Sequence, residues 1–191
     1  MKPAPAPAAT VFQQVLGADF FHLAPIVKQL HVQAGRSRWQ GRTRIQRGGG
    51  LLARLCGWAT GLPPASAEAA TTVEFSRDAG CETWARRFGD ARMVSTLRAC
   101  NGLLCERLGA MEFRFRLFRI DDALHWRVQR ARLLGLLPLP ARWFDEVHCR
   151  EYAIDGVYHF EVQAAMPLAG PLVHYAGWLQ PDVEAEPEPQ A

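Results

Sequence analysis

From Thr72 onward the chain alternates apolar and polar residues in segment after segment, with little between them but short turn signals. Gly89-Asp90 is placed to join 82–88 to 91–97, Asp121-Asp122 to join 111–120 to 123–132, and Asp155-Gly156 to join 146–154 to 157–164. Strand following strand without an intervening helix dictates antiparallel pairing. Further strands are read in RWQGRTRIQ (38–46) and in the closing LVHYAGWL (172–179). Helical spacing is confined to the front of the chain. Thr10 is a candidate cap for a helix from Val11, Pro25 breaks the pattern that runs on to Leu30, and a second helix spans Leu51 to about Thr60 before Gly61-Leu62-Pro63-Pro64 stops it. The expected fold is α+β: one large curved antiparallel β-sheet, half-barrel or barrel-like, with N-terminal helices against its concave face. It occupies residues 10–180 as a single domain. The Pro/Ala-rich residues 1–9 and the acidic, Pro-interrupted residues 181–191 have the composition of disordered tails.

Hairpin turns fix register, and register assigns each side chain to a face. Around Asp155-Gly156 one face carries Cys149, Tyr158, Phe160 and Val162, and among them Glu151. Around Gly89-Asp90 the apolar face holds Trp84, Phe88, Met93 and Leu97, and Arg86 falls between them. In LLCERLG, Glu106 sits between Leu104 and Leu108. Around Asp121-Asp122 the face of Phe113, Phe115, Trp126 and Val128, continued by strict alternation, reaches Arg130 and Arg132. Several strands thus aim a charge inward, and an unpaired buried ion costs several kcal/mol. These charges must meet one another, water or a ligand. The expectation is an internal Arg/Glu cluster of Arg86 with Glu106, extending to Glu151 and to Arg130 or Arg132. It either fixes strand register or forms the polar floor of a cavity.

Composition narrows the function classes. A net charge of +3, with arginines dispersed and no lysine-rich run, lacks the concentrated basic footprint of nucleic-acid binding. Five cysteines without C-x-x-C spacing argue against a disulfide framework or a zinc site and suit a reducing, cytoplasmic setting. His148 and Cys149 are strand neighbours pointing to opposite faces, so they cannot share a metal. No apolar run reaches the roughly 18 residues of a transmembrane segment. The greasiest stretch, LLGLLPLPARWF (133–144), reads as a buried connection broken by Pro138 and Pro140 rather than a membrane anchor, with a membrane-touching loop as the alternative.

The ordered series LHVQAG…WQGRTRIQRGGG, GLPP, ETWARRFG, LLCERLGAMEFRF, ARLLGLLPLP and CREYAIDGVYHFEVQAAMPLAGPLVHYAGWL resembles the bacterial domain of unknown function 4166 family over residues 11–180. Trp84, Arg86, Phe88, Glu106, Arg107 and Gly109 match its motif positions. The resemblance implies no established activity. It does imply kinship with proteins in which this domain follows a saccharopine-dehydrogenase-like NAD(P)-binding reductase. The present sequence is expected to depart from that arrangement, standing without a preceding reductase; GGG at 48–50 lacks the G-x-G-x-x-G spacing of a nucleotide loop, so no cofactor is expected.

The leading expectation is a non-catalytic binding module for a small hydrophobic or amphiphilic ligand. Its candidate contacts are Arg86, Glu106, Glu151, Arg130, Arg132, Trp84 and His31. Two alternatives stand beside it. One is an enzyme using Glu106 or Glu151 as acid or base, with His31 or His125 as partner. The other is an accessory domain docking a separate NAD(P)-dependent oxidoreductase through the basic outer face (Arg114, Arg116, Arg127) or through 133–144.

Overall fold

The computed structural model describes residues 9–32, 35–78 and 80–182. The expected tails lie outside these residues apart from Ala9, Pro181 and Asp182. Of these, Pro181 still belongs to the last strand, and Asp182 forms an ion pair with Arg38 at 3.2 Å.

Helices α1 (Val11–Leu16) and α2 (Pro25–Val32) flank a 3-10 turn at Gly17–His22. Thr10 does cap α1: its hydroxyl accepts from the Gln13 N–H while the Gln13 side chain accepts from the Thr10 N–H. Strand β1 (Arg36–Arg47) leads to α3 (Leu51–Thr60). Strands β2 (Ser66–Asp78), β3 (Cys81–Phe88), β4 (Ala91–Cys100), β5 (Leu103–Leu108), β6 (Met111–Ile120) and β7 (Ala123–Leu133) then succeed one another. A short β8 (Leu137–Leu139) and a 3-10 turn at Ala141–Phe144 precede β9 (Val147–Ile154), β10 (Val157–Met166) and β11 (Gly170–Pro181).

All pairings are antiparallel. They run β6-β5-β4-β3-β2-β1-β11-β10-β9-β7, and β6 also pairs with β7. The sheet therefore closes on itself. It is a ten-stranded barrel, with β8 attached outside the ring to the upper end of β7. An open half-barrel is excluded. The inner wall is apolar and the outer face carries the arginines, the reverse of a membrane-spanning barrel. No helix among the described residues is long and apolar enough to cross a membrane.

Closure has a volumetric consequence. An eight-stranded barrel is just wide enough for its own side chains to fill it, so ten strands leave space over. The helices do not simply lie in a concave face; they fill one end of that space. Phe12, Phe20, Val27 and Leu30 are all at most 2 % exposed there, and the Ala24 N–H donates to the Asp122 carbonyl in the β6–β7 turn. At the opposite end α3 crosses the mouth. Gly48, just before it, donates to the Leu172 carbonyl on β11, and Ala59 near its end accepts from Ala110 in the β5–β6 turn. Those two hairpins stand nearly across the ring from each other. Gly109 makes the second contact possible, since its φ of +55° is left-handed and a Cβ there would lie 2.6 Å from the Ala59 carbonyl oxygen.

Two expectations fail here. Strict alternation put Arg130 and Arg132 inside, but Arg114 pairs with Arg130 while Phe115 pairs with Val128, so Gln129 is an extra residue. Such a bulge reverses the parity of everything beyond it. Ala131 takes the inward position at 2 % exposure, and Arg130 and Arg132 turn outward. Residues 133–144, expected to be buried, instead expose Leu134, Leu136 and Leu137, while Phe144 of the same stretch is buried.

Candidate functional site

Between the helical plug and α3 the barrel encloses a cavity of about 400 Å³. Its walls are chiefly aromatic and aliphatic, with Phe88, Phe113, Phe115, Phe160 and Tyr175 among them. Arg86, Glu106 and Glu151 interrupt that surface. Leu55, Cys56 and Ala59 of α3 close it from above, and Leu139, Trp143 and Phe144 complete the wall beside β8.

Arg86 comes from β3 and Glu106 from β5, with β4 between them. The Arg86 guanidinium donates to Ser95 Oγ at 2.9 Å, lies 3.5 Å from Glu106 Oε1, and sits 4.8 Å from the centre of the Trp84 ring. The expected Arg86–Glu106 pair is present. It is a long one, and Ser95 takes the shorter contact. Ser95 was overlooked in the sequence, although a hydroxyl between Met93 and Leu97 on an apolar face is a visible signal.

Glu151 faces inward as expected but has a different partner. Its Oε2 lies 2.6 Å from His31 Nε2, and both residues are 1 % exposed. His31 comes from α2, so this contact fastens the plug to β9. The His31 ring stacks on Phe12 at 3.7 Å, and Phe12 in turn meets Trp84 and Trp126. Sequence reading also missed Glu82. At 3 % exposure it binds Arg77 at 2.9 Å and accepts from the Val11 N–H and from Trp84 Nε1. His125, the alternative partner, is on the outer face stacked on Phe118. Burial, reinforced by Arg150, holds its pKa below the usual histidine value.

The cavity wall suppresses ionisation of its neutral acids. Burial first, then the negative charge of Glu151, pushes the Cys149 thiol and the Tyr158 hydroxyl well above their ordinary values. The folded barrel thus keeps protons that the unfolded chain releases near pH 9.0 for cysteine and 10.0 for tyrosine. Above those values the unfolded state binds fewer protons, so stability is complete below about pH 9 and declines as pH rises. Urea unfolding should show a lower stability at about pH 10.5 than at about pH 7. Cys149→Ala should reduce the difference.

The family model described as "Domain of unknown function (DUF4166)" matches residues 23–179. The chain belongs to the DUF4166 family. The match takes in the barrel and α2 with His31, while α1 and Phe12 precede it. The crystal structure of Rv2717c from M. tuberculosis is similar to this DUF4166 chain at 17 % identity, covering 84 % of this chain and 99 % of that one, with a TM-score of 0.43. None of the curated proteins matches this sequence.

Proposed function

We propose that this DUF4166 barrel is a non-catalytic binding module for one small, mostly apolar molecule with a polar end. The observation that carries the reading is the cavity itself. Its volume of about 400 Å³ lies within the range of small-molecule sites, and an apolar wall with a few convergent polar groups is their usual chemistry. Arg86 supplies the polar end. Its guanidinium has five N–H groups, of which Ser95 and Glu106 occupy two, so an oxygen-bearing head group can be received without breaking the existing contacts. The ligand's chain would lie toward Phe113, Phe160 and α3.

The His31–Glu151 pair does not favour turnover. Its His31 half is covered by the Phe12 ring, and the pair joins α2 to β9. An accessory role beside a separate NAD(P)-dependent reductase is compatible with a binding module.

The test is titration of the purified, solvent-stripped protein with N-phenyl-1-naphthylamine, followed by displacement with fatty acid, fatty alcohol and fatty amine of equal chain length. One bound probe per chain is expected, with the oxygen-bearing amphiphiles displacing it best. Arg86→Met should weaken the preferred amphiphile roughly ten- to a hundredfold, the loss of a charge-assisted hydrogen bond. Val162→Trp, which fills the lumen, should abolish probe binding in a protein of native circular dichroism. Absence of saturable probe binding to the wild type would remove the reading.

A further inference from the structure

At the α3 end of the barrel large apolar side chains project into solvent from three separate segments. Leu51 and Trp58 on α3 are 83 % and 82 % exposed, Leu136 in the β7–β8 turn 83 %, and Leu168 in the β10–β11 turn 95 %. Leu52, Leu55, Leu134 and Leu137 add to them. Hydrogen bonds tie the three segments into one end. Ala110 donates to Ala59 on α3 and accepts from Leu134, while the Gly48 N–H, at the start of the approach to α3, donates to Leu172. At the plug end the exposed large apolar residues, such as Phe21 and Ile154, are fewer and less exposed.

Below this rim lies an outward ladder of arginines. In register across the strands, Arg107 faces Glu112, which faces Arg132. One step down, Arg98 faces Cys105, then Arg114 and Arg130. Next come Arg116 and Arg127. Like charges set directly opposite one another oppose sheet formation. Glu112 approaches only Arg98 and Arg114, at 3.9 and 3.8 Å. Fold stability gives no reason for the ladder; an anionic partner does.

We propose that the α3 end of the barrel docks on an anionic lipid bilayer, inserting its rim side chains while the β5–β7 arginines face the lipid head groups. Apolar groups at separate protruding tips suit a fluid medium, because a rigid protein partner would need a matching hollow for each. An exposed tryptophan among leucines, bordered by arginine, is the composition of a surface that rests at a membrane interface. The arginine flank adds the attraction to anionic head groups. Asp90, Asp145 and Glu146 share this end, so insertion outweighs charge and the tilt is toward the arginines. Leu55 both lines the cavity and stands exposed in the rim, so the docked face is also the nearest route into the lumen. The proposal deepens the binding reading by naming a bilayer as the ligand's source; docking can stand without it.

The experiment is flotation of the full chain with vesicles of equal parts phosphatidylglycerol and phosphatidylcholine, and with vesicles of phosphatidylcholine alone. Binding is expected to the mixed vesicles, several-fold weaker binding to phosphatidylcholine, and weakening by salt. Leu136→Glu with Leu168→Glu should lower partitioning roughly tenfold or more. These side chains are exposed, so the thermal midpoint should stay put. Brominated acyl chains should quench Trp58, and Trp58→Phe should remove that quenching while binding persists. Wild-type protein that floats with neither vesicle overturns the proposal, as does a double-glutamate variant that binds undiminished. Rim-dependent self-association without flotation also overturns it. Naphthylamine titration of the wild-type protein in lipid-free buffer separates the two readings: saturable probe binding without flotation sinks docking alone, and flotation without probe binding sinks the cavity alone.

Discussion

Glu151→Ala is expected to destabilise the barrel by about 3–5 kcal/mol, the usual cost of removing one partner from a buried, hydrogen-bonded pair. The reason is what remains behind. His31, 1 % exposed and stacked on Phe12, would lose its partner at 2.6 Å. The pair joins residues 120 positions apart, so the substitution should loosen α2 from β9 as well as lower the global stability. Urea denaturation measures the first effect and limited proteolysis after residue 32 the second. A double variant, His31→Phe with Glu151→Leu, should recover most of the loss, since well-packed apolar replacements of buried pairs are often neutral. A Glu151→Ala cost below about 1 kcal/mol would mean that the plug is held by packing alone.

Phe12→Ala should cost as much by a different route. Its ring is fully buried and meets His31, Trp84 and Trp126, so truncation removes apolar burial and leaves a void between rigid rings. Phe→Ala changes of this kind cost about 3–5 kcal/mol. For a chain of this size that corresponds to a fall in Tm of roughly 6 to 20 °C by calorimetry. The void would lie beside Trp84 and Trp126, which line the natural cavity, so the lumen should lengthen toward the plug and accept a longer amphiphile.

Much of the fold was legible because it rests on local rules. The cap at Thr10, the stop after Thr60 and the three two-residue turns are short-range chemistry, and each appears in the structure where the residues placed it. The inward direction of Arg86, Glu106 and Glu151 followed from parity counted outward from the turns. What was illegible depended on long-range or parity-breaking events. Nothing local marks Gln129 as a bulge, and a single inserted residue sent Arg130 and Arg132 to solvent. Nothing near Glu151 in sequence announces that its partner is on a helix 120 residues earlier. Closure depends on β7 pairing with both β6 and β9, a contact across the β8 excursion that alternation cannot disclose. The exposure of Leu134, Leu136 and Leu137 is likewise invisible to hydropathy, which reports greasiness and not its direction.

The seam between β1 and β11 sets the order in which this chain can acquire its shape. Residues 36–47 cannot find their second neighbour until residues 170–181 exist, so the ring stays open until its last strand has been made. Contacts of such sequence separation place folding toward the slow, millisecond-to-second end of the scale. During that interval two long strand edges are unpaired, a template for aggregation at high expression.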